Sequence, residues 1–175
     1  MTKTDIIREL TYRHEHFATF ITTMSDDDFL FAPNGKWTAG QQLEHIYRAV
    51  NALVLPFRLP KFVLKMLFGT ANRPSRDYDA LVAKYHAKLA AGGRAAGRFV
   101  PPPVAYNHRE MLRSRLLQSV QKLCKALEHY SEEDLDRYIL PHPLLGKITL
   151  REMMYFTMYH VEHHSALTKR NLSFR

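Results

Sequence analysis

The chain has 175 residues, 46% of them hydrophobic, which suits a globular protein with its own core and argues against a disordered one. The formal net charge of +8 attracts anionic partners, but the basic residues are spread without the dense run typical of nucleic-acid-binding proteins. No apolar run is long enough to span a membrane, and the single cysteine, Cys124, excludes an internal disulfide.

Two long helices are predicted in the first third of the chain. Apolar residues recur at steps of three and four over residues 3–24, and His14 lies within that stripe. A capping-box pattern at Thr38 predicts the start of the second helix. His45 falls off the aliphatic stripe of this helix, in line with small residues. That position leaves room beside His45 for another helix or for a ligand.

The sequence over residues 56–106 predicts a long crossover between helices and not a core helix. Prolines and glycines interrupt this segment and leave two short helices, over residues 62–68 and residues 79–91. We expect the crossover to cover the bundle or a partner subunit. A membrane-surface segment and a substrate lid are the alternatives.

Two further long helices are predicted near the end of the chain. One runs from Asn107 to about Tyr130, a short helical turn begins at Ser131, and the last helix runs from Thr149 to about Arg170. We find no internal repeat and no strand pattern. Four long helices and one long crossover predict an all-α four-helix bundle, formed as a single domain over residues 1–175. In this fold, metal sites are built from side chains on facing helices.

The last helix carries the strongest functional pattern of the chain. His160 and His164 are one turn apart and share a face, so they can hold one divalent metal ion. A pair of His160 with His163 is the rival geometry. If His45 supplies a third imidazole, the site suits zinc or nickel with open positions, which can bind water or a thiol and lower its pKa.

Several other residues are weaker candidates for the site. His14 can reach the same cavity, although a hydrogen-bonded core histidine is the alternative. Glu44 and Glu162 are candidates for orienting a ligand or acting as a general base, and His163 is a further catalytic candidate. The other histidines for which we predict surface positions are His16, His86, His108 and His129.

Three segments resemble a known family. Residues 36–46 (KWTAGQQLEHI) resemble the second-helix motif of the DinB-like (YfiT-like) metalloenzymes, and residues 142–149 (HPLLGKIT) and 160–164 (HVEHH) resemble their closing motif. The resemblance implies an up-down-down-up bundle with extra short helices in the crossover of this chain. It also implies a divalent metal, often nickel or zinc, on three histidines. These correspond by position to His45, His160 and His164, and a homodimer is also implied.

The resemblance indicates a function as well. Similar proteins include enzymes that use bacillithiol, mycothiol or glutathione, and others described as metal-dependent hydrolases. We therefore expect a cytoplasmic, thiol-dependent transferase acting on a small anionic substrate, and the N-terminus lacks the layout of a signal peptide. A metal-dependent hydrolase, a non-catalytic metal-binding or interaction bundle, and a nucleic-acid-binding protein are the alternatives. We expect neither nucleic-acid binding nor a membrane span.

Overall fold

Helices account for most of the chain in the computed structural model, which describes all 175 residues. In chain order they are α1 (Lys3–Thr22), α2 (Asp26–Leu30), α3 (Ala39–Arg58), α4 (Lys61–Phe68), α5 (Tyr78–Ala90), α6 (Arg109–Leu127), α7 (Glu132–Arg137) and α8 (Leu150–Leu172). Two short strands, β1 (Ile139–His142) and β2 (Gly146–Thr149), form an antiparallel hairpin. The four long helices are α1, α3, α6 and α8, and this confirms the all-α bundle with short helices in its crossover.

Most of the long helices begin at a capping box, in which a side-chain oxygen accepts the backbone N–H three residues later. On the long helices the capping residues are Thr2, Thr38 and Thr149, and Ser131 caps the short helix α7 in the same way. The predicted cap at Asn107 is wrong. A 3₁₀ turn over Tyr106–His108 precedes α6, and His108 at the cap position makes no side-chain hydrogen bond to the helix.

Contacts at the helix ends fix the direction of each long helix. The Lys3 ammonium at the start of α1 donates to the Tyr130 carbonyl just after α6 (2.8 Å), so these two helices are antiparallel. The Tyr130 hydroxyl donates to the Phe57 carbonyl near the end of α3 (3.2 Å), so α3 and α6 run in the same direction. Arg151 at the start of α8 donates to the Met1 carbonyl (3.0 Å), so α1 and α8 are parallel. The order is therefore up-down-down-up.

The core lies between the four long helices, where apolar stripes from each helix face inward. Cys124 is part of this core, as its position in the α6 stripe predicts. None of the helices is both long enough and apolar enough to cross a membrane.

The hairpin was not predicted from the sequence. Each of its strands has four residues, and Ile139 and Leu140 are consecutive buried residues, so no alternating pattern marks a strand. Gly146 closes the turn with φ of +74°, a conformation that a glycine adopts without strain. The hairpin packs against α4 and α8. It brings His142 to the same region of the molecule as the middle of α8.

Glu152 at the start of α8 anchors the crossover to the bundle. Its side chain is fully buried and accepts two hydrogen bonds from the Arg73 guanidinium, at 2.7 and 2.8 Å. It also accepts the backbone N–H groups of Arg76 (2.8 Å) and Thr149 (3.0 Å). Burial opposes ionisation of Glu152, but the hydrogen bonds from Arg73, Arg76 and Thr149 outweigh it and hold its pKa at about 2.

We predict that Glu152→Gln lowers the free energy of unfolding at pH 7 by on the order of 3 kcal/mol, because it leaves buried arginine contacts without a negative charge. The effect depends on pH. The carboxylate stabilises the folded state above its unfolded pKa of 4.5, and that contribution is lost as the pH falls towards 2. Urea denaturation of both proteins from pH 7 to pH 2 measures the difference.

Glu162→Gln is the matched control, because its ion pair with Arg13 is solvent-exposed on the glutamate side (48% exposed). Its cost should stay below about 1 kcal/mol. Two outcomes would show that the buried carboxylate does not anchor the crossover. Either the two variants lose equal stability, or the loss of unfolding free energy in Glu152→Gln stays the same at low pH.

Candidate metal centre

Three histidine side chains from two antiparallel helices meet inside the bundle. His45 comes from the first half of α3, and His160 and His164 lie one turn apart on α8. The Nε2 atom of His160 is 3.2 Å from Nε2 of His45 and 3.1 Å from Nε2 of His164. All three side chains are buried, and their ring nitrogens form a group that could hold a metal ion.

Hydrogen bonds on the far side of two rings set their tautomers. The Nδ1–H of His45 donates to the carbonyl of Phe99 in the crossover (2.6 Å), and the Nδ1–H of His164 donates to the side-chain oxygen of Gln42. Because each neutral imidazole carries one proton, the Nε2 atoms of His45 and His164 present lone pairs to the centre. This is the arrangement in which partners behind a metal ligand orient the ring.

The donor set fits a divalent metal ion. A proton on Nε2 of His160 could point to only one of its two neighbours, so at least one of the two close nitrogen contacts has no hydrogen bond. Metal–nitrogen distances of about 2.0–2.1 Å place neighbouring ligands about 3.0–3.4 Å apart. The observed separations of 3.1 and 3.2 Å fall in that range, so a shared cation would relieve the repulsion.

The surroundings keep the three rings neutral. Burial lowers the pKa of His45, and it lowers the pKa values of His160 and His164 well below the usual 6.5. Mutual repulsion within the cluster adds to this effect for His160 and His164. A neutral imidazole is the form that binds metal, so the cluster requires no deprotonation near pH 7.

Aromatic side chains enclose the cluster. The Trp37 ring lies 5.0 Å from the His45 ring and is stacked on the His164 ring at 6.2 Å. Phe156 is stacked on His160 with 4.7 Å between ring centres. These contacts restrict the ring orientations of all three histidines and limit access of solvent to one side of the cluster.

The histidine cluster opens into a cavity of about 1070 Å³. Its wall is formed by α3, α8, the hairpin and the part of the crossover that ends at Val100. No aspartate or glutamate lines the cavity, whereas the segment before α3, the crossover and α8 all contribute cationic side chains to it. The crossover covers the bundle, as expected, through the packing of α5 on α8, and it also forms part of the cavity wall.

The structure brings His163 and His14 to the cavity wall but not into the cluster. His163 is half-buried, and burial with the nearby charge of His86 lowers its pKa to about 4. It is His164 and not His163 whose Nε2 meets that of His160. The Nδ1–H of His14 donates to the Leu10 carbonyl (2.7 Å), and burial lowers the pKa of His14 to about 4. Its Nε2 atom is buried without a hydrogen-bond partner.

Glu44 and Glu162 do not line the cavity. Glu44 pairs with Arg48 (2.6 Å), which in turn donates to two carbonyls of the crossover. Glu162 pairs with Arg13 on the outer surface (2.9 Å). Neither carboxylate is therefore placed to act on a ligand beside the histidine cluster. The histidines predicted to lie on the surface are all exposed: His16, His86, His108 and His129.

Sequence reasoning missed three residues of the site. Gln42 precedes His45 by three residues on the same helix face, and that spacing is a signal that could have identified it. Phe99 acts through its backbone carbonyl, so its side chain gives no signal. His142 lines the cavity and accepts the backbone N–H groups of Leu144 and Leu145, each at 3.1 Å. Burial lowers the pKa of His142 to about 4.

Comparison with known proteins gives one family. The model of the DinB superfamily matches residues 9–167, which cover most of the chain and include all three clustered histidines. The comparison with curated proteins gives no match.

We predict that Gln42→Ala weakens zinc binding by about 10- to 100-fold, the usual effect of removing the group that orients a histidine ligand. The His164 ring would lose the acceptor that fixes its tautomer. Competition with a chromogenic chelator measures the affinity, and circular dichroism reports whether the fold is retained.

Gln41→Ala is the matched control on the adjacent position. Gln41 completes the capping box with Thr38 and does not contact a histidine of the cluster. We expect a loss of about 1 kcal/mol in stability with unchanged zinc affinity. If Gln41→Ala and Gln42→Ala reduce zinc affinity equally, the hydrogen bond to His164 has no specific role.

Proposed function

Because the chain belongs to the DinB superfamily, we propose that it is a metal-dependent enzyme whose most favoured chemistry is thiol-dependent group transfer. In this proposal, His45, His160 and His164 hold a divalent ion, zinc or nickel. A low-molecular-weight thiol attacks a small electrophilic substrate in the adjacent cavity. Metal-dependent hydrolysis, with water in place of the thiol, is the second candidate.

The observation that carries the proposal is the convergence of three Nε2 atoms, two of them with tautomers set by hydrogen bonds from behind. Because the Phe99 carbonyl and the Gln42 side-chain oxygen both occupy Nδ1, the Nε2 lone pairs of His45 and His164 stay available for an ion. A divalent ion bound there would supply Lewis acidity that lowers the pKa of a thiol or of water.

The residues around the cluster favour a thiol over water as the nucleophile. No carboxylate lines the cavity, so no such side chain is present to take a proton from water. A free thiol has a pKa of about 8.5 and ionises far more readily than water, which has a pKa of about 15.7. A site without a carboxylate base is therefore better suited to a thiol.

His142 is suited to hold the substrate and not to remove a proton. Its Nδ1 accepts two backbone N–H groups, so in the neutral ring the proton is on Nε2. With a pKa of about 4, the ring stays neutral near pH 7. We propose that this N–H donates to an oxygen of the substrate in the cavity.

The metal site is tested by elemental analysis of the purified protein beside His45→Ala, His160→Ala and His164→Ala. Each substitution removes one of three ligands, so we expect each variant to lose most of the bound metal. His163→Ala is the matched control, since His163 lies next to the cluster but outside it. Retention of metal by His164→Ala together with its loss in His163→Ala would favour the rival pair.

The chemistry is tested by turnover of a model electrophile in the presence and absence of a low-molecular-weight thiol. Thiol-dependent group transfer predicts consumption only when the thiol is present, and loss of that activity in His160→Ala. Equal turnover without any thiol would favour hydrolysis. Full metal loading without turnover on thiol and ester panels would favour a non-catalytic metal-binding bundle.

A further inference from the structure

The cavity differs in character on the two sides of the histidine cluster. Since α3 and α8 run antiparallel here, the start of α3 and the end of α8 lie on one side of the cluster. The hydrogen bond from Asn171 to the Trp37 carbonyl (3.3 Å) joins these two ends. The later residues of α3 and the earlier residues of α8 lie on the other side.

The side of the cavity formed by the start of α3 and the end of α8 carries cations that have no acidic partner. Four exposed cationic residues line the rim of the cavity, and none of them takes part in an ion pair of the chain: Lys36, Arg94, Arg98 and Arg170. Lys36 precedes α3 and Arg170 lies near the end of α8. Arg94 and Arg98 belong to the crossover and line the cavity away from this end, since Arg48, which follows His45 on α3, donates to the Arg98 carbonyl (3.0 Å). The rim cations on this side are therefore Lys36 and Arg170, and an anion there would meet no carboxylate of the cavity lining.

Along α3 and the hairpin, the second side is apolar except for His142, which the hairpin brings beside Phe156. Beyond His45, the lining of α3 continues through Ile46, Val50 and Leu53, which extends about 12 Å along the helix axis at 1.5 Å per residue. Met153 on α8 and Leu140 on β1 face the same part of the cavity. The volume of about 1070 Å³ exceeds what a compact anion needs and matches the cavities that hold drug-sized ligands.

We infer that the cavity binds an amphiphilic anion, with its anionic head at the rim cations and a slender apolar body extending past the histidines along α3. This inference rests on the proposed function and names the substrate class of the same site. The reacting carbon of the ligand would then lie close to its anionic group, because the histidine cluster lies between the cationic rim and the apolar side of the cavity.

Straight-chain carboxylates test the inference by binding alone. Trp37 is the only tryptophan and lines the cavity, so its fluorescence reports occupancy. Butanoate, hexanoate, octanoate and decanoate are titrated into the full chain. We expect affinity to rise by up to about fourfold per methylene, the factor that corresponds to about 0.8 kcal/mol, until the apolar side of the cavity is filled. Decylamine should bind more weakly than decanoate. Equal affinities along the series, or for the two head groups, would overturn the inference.

Two substitutions locate the binding site. Arg170→Gln should weaken decanoate binding several-fold and leave the neutral decanol unaffected, whereas Arg115→Gln, an exposed arginine of α6 outside the cavity, should change neither. Leu53→Phe should abolish the gain from hexanoate to decanoate while butanoate binds as before. If Leu53→Phe binds decanoate as tightly as the wild type, the apolar body lies elsewhere and the inference fails.

Metal analysis of the same preparations separates this inference from the proposed function. Carboxylate binding with the expected chain-length dependence in metal-free protein would support the amphiphile even if the metal proposal failed. Full metal occupancy with no preference for carboxylates would overturn the amphiphile and leave the metal site standing.

Discussion

The antiparallel contact between α3 and α8 is the constraint on which the site depends. It brings His45 within hydrogen-bonding distance of His160, 115 positions later in the chain. The same contact pairs Gln42 with His164, so one helix both completes the cluster and orients part of it. A shift of either helix by one residue would rotate its side chain by about 100° and remove it from the group. The capping boxes at the starts of α3 and α8 help to fix that register.

The arginines near the start of α8 have acidic partners, whereas the cations at the rim of the cavity do not. Near the start of α8, buried or partly buried arginines are paired with carboxylates: Arg73 of the crossover pairs with Glu152, and Arg151 pairs with Asp136. The cations at the rim of the cavity have no such partners, although the chain carries 17 acidic residues. Unpaired cations beside neutral, buried imidazoles produce a positive potential over the mouth of the cavity. That potential attracts anions from solution, and it weakens as salt increases.

The crossover takes part in the site and is not only a connection between helices. Its Phe99 carbonyl sets the tautomer of His45, and its loop is held in place by Arg48, which donates to the carbonyls of Arg98 and Val100. Glu44 fixes Arg48 from one turn earlier on α3. Glu44, considered as a possible base, thus acts on the structure around the histidine cluster. Its contribution would be to the rigidity of the site and not to proton transfer.

The long helices, the caps at Thr38 and Thr149 and the pairing of His160 with His164 could be predicted from the sequence, because each depends on contacts within a turn or two of helix. That His45 joins the cluster could be inferred from its position off the aliphatic stripe and from the resemblance to a family. The three-dimensional structure was needed to show that the Phe99 carbonyl holds His45, that the crossover forms part of the cavity wall, and that the candidate carboxylates are held away from the cavity. Those outcomes depend on which distant segments meet, and local periodicity carries no information about such encounters.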